Sequence, residues 1–238
     1  MTLADILASL MPARDVVNDG PLLFGSAVLP NGLALHIVGA TQGAPIGVDE
    51  ALRLSGHVLD LARQEPGVIL FLVDTSSQRM SRRDELLGLN EYLAHLAKSL
   101  LLAHARGHRT IGLLYGGSAA GAFIATALAC DTLVALPGAR PEVMDLPSMA
   151  RVTKLPIEVL QDKAKSTPVF APGLDNLAQM GAIAATWDPD RPLMEQLLQV
   201  LATPAGADDR GALGEARHGR LKAAALAGQV VQALVAAG

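Results

Sequence analysis

The residues Thr110–Phe123, TIGLLYGGSAAGAF, carry the strongest chemical signal in this chain. An apolar β-type run ends in Gly116-Gly117, and a helix of small residues starts directly after it. Glycines at such a junction let backbone N–H groups face a ligand, and the helix adds the positive end of its dipole behind them. That arrangement suits a developing oxyanion on a thioester or other carbonyl substrate. A strand-to-helix turn with glycines for close packing explains the same residues without a ligand, and both readings are open on the motif alone. Two other chemistries are excluded. No Lys-Ser/Thr follows the glycines, as a nucleotide phosphate loop requires. Ala120 stands where the last glycine of a Gly-x-Ser-x-Gly nucleophile elbow belongs. Ser118 as a nucleophile would need a histidine and an acid beside it, so backbone donors at Gly117 and Ser118 are the better proposal. The catalytic candidates are Tyr115, Gly116, Gly117, Ser118 and Ala119, with Tyr115 either donating a proton or simply packing.

A second candidate segment is Asp74–Arg83, DTSSQRMSRR, directly after the apolar run VILFLV. Open α/β sheets place ligands at the carboxyl ends of interior strands. Arg79, Arg82 and Arg83 can meet a phosphate or an acidic partner there, or form the solvated start of a helix. Histidines offer less. His104 and His108 are four apart, but Gly107 separates them and no Glu lies between, which excludes a zincin-type site. His36 belongs to a strand and His57 and His95 to helices, where structural roles are favoured. With no Cys/His cluster and no Asp-rich loop, no metal site is expected. Cys130, within ATALACDTL, reads as a buried small residue rather than a nucleophile.

Short β-like runs alternate with longer helical stretches, the pattern of an α/β fold. The strands expected are 33–38, 68–73, 110–115 and 132–136, with Asn31-Gly32 as a hairpin turn and 26–29 as its other arm. Helices are expected over 50–64, 84–106, 119–129, 156–165, 192–201 and 221–236. In the second of these, Leu86, Leu89, Leu93, Leu96, Leu100 and Ala103 follow helical spacing and mark a core-facing side, and Gly107 closes it. The segment 204–219, rich in Gly, Ala and charge, reads as a flexible loop. The last helix is apolar around most of its circumference, which suits docking against a partner or its own domain.

A length of 238 residues supports one substantial α/β core. Half of the residues are hydrophobic, and the mean hydropathy of +0.34 points to an interface as the sink for the excess. No apolar run approaches the roughly 18 residues of a membrane span. The start of the chain has an early Asp5 and no basic region, so no secretory leader is expected. The lone cysteine excludes an intramolecular disulfide and fits a reducing cytoplasm. A net charge of −4 and only 3% aromatic residues argue against nucleic-acid binding.

Taken together, VILFLVDT, DELLGLNEYLAHLAKSLLLAHARGHRTIGLLYGGSAAGAF and ACDTLVALPGARPEVM resemble the crotonase superfamily. Within it they are similar to the C-terminal half of carboxyltransferases acting on acyl-CoA, and most of all to gamma subunits of biotin-independent malonate decarboxylases. The similarity covers roughly residues 20–200. The superfamily includes the Clp proteases, but aligned on Gly121-Ala122-Phe123 their nucleophilic serine falls at Ala119, so a peptidase is excluded. Ser76-Ser77-Gln78 replaces the usual Pro-Gly pair of the carboxyltransferases, which fits a chain that handles no biotin. Asp145-Leu146-Pro147 replaces small and glycine residues, so nothing near Met144 is carried over.

The resemblance implies a crotonase-like ββα superhelix: an N-terminal extension (1–20), one carboxyltransferase-type domain (21–203), the loop 204–219 and a C-terminal docking helix (220–238). It implies a gamma subunit paired with a beta subunit, together with acyl-carrier and acyl-carrier transferase subunits, in the cytoplasm. The reaction implied is decarboxylation of a malonyl thioester on the acyl carrier to the acetyl thioester. The substrate rides on a phosphoribosyl dephospho-CoA arm, with no cofactor held permanently by this chain and no biotin. Ser76, Ser77, Gln78 and Arg79 are the expected contacts on the cofactor side. Two rivals remain on sequence grounds: a subunit of a biotin-dependent acyl-CoA carboxylase, and a non-catalytic scaffold.

Overall fold

The computed structural model describes residues 1–10, 15–168, 171–204, 206 and 208–237. In chain order its elements are α1 (Leu3–Leu10), β1 (Asp15–Asp19), β2 (Leu22–Val28), β3 (Ala34–Ile46), α2 (Val48–Leu61), β4 (Val68–Gln78), α3 (Arg82–Leu86), α4 (Leu89–Ala105), β5 (Arg109–Leu114), β6 (Gly117–Ala119) and α5 (Ala120–Ala125). There follow β7 (Thr132–Ala135), β8 (Arg140–Glu142), α6 (Leu146–Thr153), α7 (Ile157–Ser166), α8 (Leu174–Gln179), β9 (Ala185–Thr186), α9 (Leu193–Ala202), α10 (Arg210–Ala216) and α11 (Leu221–Ala237).

The main sheet runs β1-β2-β3-β4-β5-β7-β9, antiparallel across β1, β2 and β3 and parallel from β3 onward. Its interior strands are continuous apolar runs because parallel strands are covered on both faces. Residues 68–73 of β4 are all fully buried. One face carries Leu35, Ile37, Leu70, Leu72, Ile111 and Leu113 against Ile6 and Leu10 of α1 and Leu193 and Leu197 of α9. The period-2 alternation of a strand turns Ile69, Phe71 and Val73 to the other face.

The hairpin expected at Asn31-Gly32 forms, with Val28 paired to Ala34 and Gly32 at φ +85°. Gly107, at φ +94°, ends α4 as expected. Other expectations need correction. The helix expected over 84–106 is broken at Gly88, which takes φ +80° and separates α3 from α4. Leu86 therefore leaves the core stripe and is 76% exposed. The first twenty residues are more than an extension, since α1 packs into the core and β1 is an edge strand of the sheet. The segment 204–219 contains helix α10 where a loop was expected. Residues 11–14, 205, 207 and 238 of these expected regions lie outside the described residues.

The chain forms two compact units, Met1–Val143 with Ala185–Ala205, and Met144–Ala184 with Gly206–Gly238. The domain expected over 21–203 is thus shared between them. The second unit is helical and closes on its own backbone. Arg217 donates to the carbonyls of Ala178, in the last turn of α8, and of Ile183 and Ala184 beyond it, at 2.6–2.8 Å. Asp145 and Pro147 start α6, with the Asp145 carboxylate accepting from Ser148 N–H at 2.7 Å.

Candidate active site

The first unit brings both candidate segments together at the carboxyl ends of β4 and β5. Tyr115 N–H donates to the Val73 carbonyl at 3.2 Å, which keeps the chain beside β4 past the end of β5. Gly116 then lies flush against Asp74, and a Cβ there would overlap Asp74 Oδ1. That is the physical need for glycine at this position. Asp74 Oδ1 accepts from Gly117 N–H at 2.9 Å, and Oδ2 accepts from Gly43 N–H at 3.2 Å. One carboxylate thereby joins the irregular stretch of β3 at Gly43 to the Gly-Gly turn.

Residues 117–119 form β6, a short strand parallel to β8, and Arg140 N–H donates to the Gly116 carbonyl at 2.8 Å. Ser118 is buried, and its hydroxyl hydrogen-bonds the buried Thr75 hydroxyl at 3.2 Å. A serine in that position is a structural link between two strands. Ala120 follows with φ +49°, a left-handed conformation that costs an L-residue about 1–2 kcal/mol. Gly121 N–H donates to Gln78 Oε1 at 2.9 Å. Gly116, Gly117, Ala119, Ala120 and Gly121 are half-buried, so one side of this strip meets solvent.

Tyr115 is half-buried against the core, and burial, then the neighbouring Asp74 charge, pushes its phenol above the ordinary tyrosine range. It is a neutral hydrogen-bond donor at any physiological pH.

The expected cofactor-side residues fall in two groups. Ser76 is exposed and Ser77 half-buried, its hydroxyl donating to the Gln78 carbonyl at 3.1 Å. Gln78 faces Gly121, and Arg79 faces carboxylates: its guanidinium is 2.6 Å from Glu50 Oε1 and 4.0 Å from the fully buried Asp84. A phosphate at Arg79 would have to compete with both. Arg83 forks onto Asp49 at 2.8 and 2.9 Å, holding that carboxyl below its usual range, while Arg82 is exposed.

The histidines lie elsewhere. His104 Nδ1 is 2.9 Å from Asp131, which also accepts from Thr110 N–H at 3.0 Å. His108 is buried and its Nδ1 accepts from Gly67 N–H at 3.2 Å. Among the described residues no group of three His, Cys, Asp or Glu side chains is placed to hold a metal. Cys130 is buried, with its thiol against the Thr126 carbonyl at 3.4 Å.

Sequence reasoning assigned no role to Asp74 or Thr75. Their signal was a polar pair at the carboxyl end of an otherwise apolar interior strand, but their partners lie 43 residues away.

With this geometry in place, likeness to known proteins becomes informative. A family model for the malonate decarboxylase gamma subunit matches residues 41–234, which include the whole site. The chain belongs to that family. A Pseudomonas malonate decarboxylase hetero-tetramer, solved in complex with coenzyme A, contains a chain 26% identical with a TM-score of 0.79; the match covers 97% of this chain and 98% of that one. A chain of the Pseudomonas malonate decarboxylase hetero-dimer is also 26% identical, at a TM-score of 0.74 and the same coverage. The malonyl-S-ACP:biotin-protein carboxyltransferase MADD of Malonomonas rubra is 28% identical over 197 residues, covering 74% of this chain and 68% of that protein. A transcarboxylase 12S chain shares the fold at 17% identity and a TM-score of 0.66. The expected crotonase-like α/β fold is thus borne out. Among the described residues no helix is long and apolar enough to cross a membrane.

Proposed function

We propose that this chain is the gamma half of a cytoplasmic malonate decarboxylase, acting with a beta subunit on a malonyl thioester. The substrate is presented by an acyl-carrier subunit on a phosphoribosyl dephospho-CoA arm that a transferase subunit loads. In the reaction the electron pair of the carbon–carbon bond passes into the thioester, CO2 departs, and the enolate takes a proton at its α-carbon to give the acetyl thioester. The family match across residues 41–234, turn included, is the observation that carries this reading.

The hard species is the enolate, and backbone N–H groups in a water-poor cleft stabilise it; losing one such donor typically costs about 3–4 kcal/mol. The beta subunit holds that oxyanion hole. In this chain the strip Gly116–Ala119 faces the malonyl carboxylate. Strong donation to that carboxylate would hinder decarboxylation, because its charge leaves in the transition state. The Gly117 N–H, already bonded to Asp74, is a weak donor to a second acceptor. That weakness suits a strip that orients the carboxylate across the thioester plane. In this reading Tyr115, kept protonated by burial and by Asp74, or a bound water returns the proton to the α-carbon. Exposed Ser76 and half-buried Ser77 are the contacts left for the carrier arm.

The test is reconstitution. The isolated chain should not turn over malonyl thioester, and activity should appear on adding the beta subunit. Full activity from this chain alone would overturn the split site. A second reading, a biotin-dependent carboxyltransferase subunit, is favoured by the name of the Malonomonas relative. Dependence on a biotinylated carrier, abolished by avidin, would establish it. Indifference of turnover to substitutions across Tyr115–Ala119 would leave only the scaffold role.

A further inference from the structure

The polar continuation of β4 contacts the turn at three points. Asp74 holds the Gly117 N–H, Thr75 meets the Ser118 hydroxyl, and Gln78 Oε1 accepts from Gly121 N–H at 2.9 Å. The first two contacts lie before Ala120, whose left-handed backbone redirects the chain, and the third lies beyond it. A left-handed alanine persists only when the residues around it over-determine the path. Gln78 supplies the contact on the far side. Gly121 leaves no slack: a Cβ there would stand 3.2 Å from Gln78 Oε1 and 3.1 Å from Leu93 Cδ1.

Gln78 is itself anchored. Arg79 N–H donates to the Ile46 carbonyl at 2.8 Å, and the Arg79 guanidinium is tied to Glu50 at 2.6 Å beside buried Asp84. Gly47 makes room for that tie, since a Cβ would approach Arg79 Nη1 to 2.7 Å and Asp84 Oδ2 to 2.8 Å. The backbone that carries Gln78 is therefore held by the sheet register and, at the next residue, by an ion pair.

We propose that Gln78 is a positioning residue: its side-chain carbonyl fixes Gly121, and through the Ala120 turn sets the donor strip Gly116–Ala119 against the substrate. This inference rests on the decarboxylase reading for its kinetic consequence alone. Arg79, expected on the cofactor side, serves here to anchor the same contact.

The experiment compares Gln78→Met, which keeps side-chain length but removes the acceptor, with Gln78→Glu, which keeps an acceptor. Both are measured in the complete beta–gamma assembly with malonyl-loaded carrier, alongside hydrogen exchange of the Gly121 amide. Gln78→Met should lower kcat roughly tenfold, since small misplacements of a reacting group are costly, while KM stays within about twofold. Gly121 should exchange faster in this variant, and Gln78→Glu should restore both kcat and protection. A raised KM with kcat intact would make Gln78 a direct carrier contact and overturn the proposal. Unchanged Gly121 exchange in Gln78→Met would overturn it as well. If Gln78→Met does not assemble, Gln78→Glu decides, because loss of Gly121 protection there would refute an acceptor role. Absence of malonyl-thioester turnover in the wild-type assembly would break the functional reading and leave Gly121 exchange to judge the positioning role.

Discussion

The two ends of the parallel strands bury polar side chains in opposite ways. At the carboxyl end, Asp74, Thr75 and Gln78 are each hydrogen-bonded to the 117–121 turn. Towards the amino end, His36, His57 and His108 gather where β3, α2 and the start of β5 meet. Burial pushes all three imidazoles below the ordinary histidine value of 6.5, and His36 is pushed further by His108 and His57. Directed hydrogen bonds to backbone donors order the first end; at the second, burial favours neutral imidazoles, and His108 Nδ1 accepts from Gly67 N–H. The first arrangement builds a surface with directed backbone groups, which is what the proposed site requires. The second is a cluster of imidazoles, two half-buried and one buried, with the His57 ring centroid 4.4 Å from that of Phe24 and tilted by 48°.

The largest test of this contrast is Gly116→Ala. The added methyl overlaps Asp74, so stability should fall by about 1–3 kcal/mol. Turnover in the beta–gamma assembly should fall by at least about 100-fold. Thermal unfolding and steady-state kinetics check the two halves, and near-wild-type turnover would show that the Asp74–Gly116 approach is dispensable. Next comes Asp74→Asn, which keeps one side-chain acceptor of two and loses either the Gly117 or the Gly43 bond. A destabilisation of about 1 kcal/mol is expected in denaturant titration.

The histidine end should break with acid instead. Because the folded pKa values lie below the unfolded one, the unfolded chain binds more protons as pH falls beneath 6.5. Stability should be level well above that value and decline below it, until the folded-state pKa values are passed. His36→Gln should flatten the decline in denaturation midpoints between about pH 7.5 and 5.5 while leaving turnover at neutral pH unchanged. Identical pH slopes for variant and wild type would remove the histidine cluster from the comparison. The smallest effect is expected from Ala120→Gly. Relief of the left-handed strain should exceed the glycine entropy penalty by less than about 1 kcal/mol. A modest rise in melting temperature with a lower kcat would show that rigidity at Ala120 serves the strip.

Legibility followed range along the chain. The runs VILFLV and TIGLLY announced interior parallel strands because burial on both faces removes any polar alternation. Gly107 and Asn31-Gly32 were readable because each acts within a few residues. Gly88 was missed because a glycine inside a leucine pattern reads as tolerated, and its left-handed φ depends on how α3 and α4 pack. The β6–β8 pair was invisible, being three residues per strand with partners 23 positions apart. At the site, Gly116 and Gly117 were picked out as types, yet Gly117 was expected to offer a free N–H. Asp74 has taken that donor, a contact no local pattern encodes.

The sequence by itself determined the α/β character, the end of the apolar strand before Gly116-Gly117 and the family likeness, because these rest on residue type and short-range spacing. Tertiary structure alone decided which donors are engaged, that Ser118 is a strut, that Arg79 faces Glu50 and Asp84, and that Gln78 reaches Gly121. Hydrogen bonds and ion-pair contacts form over about 3–4 Å in space, whatever the distance along the chain. Parallel pairing brought β4 and the turn, 43 residues apart, within that reach.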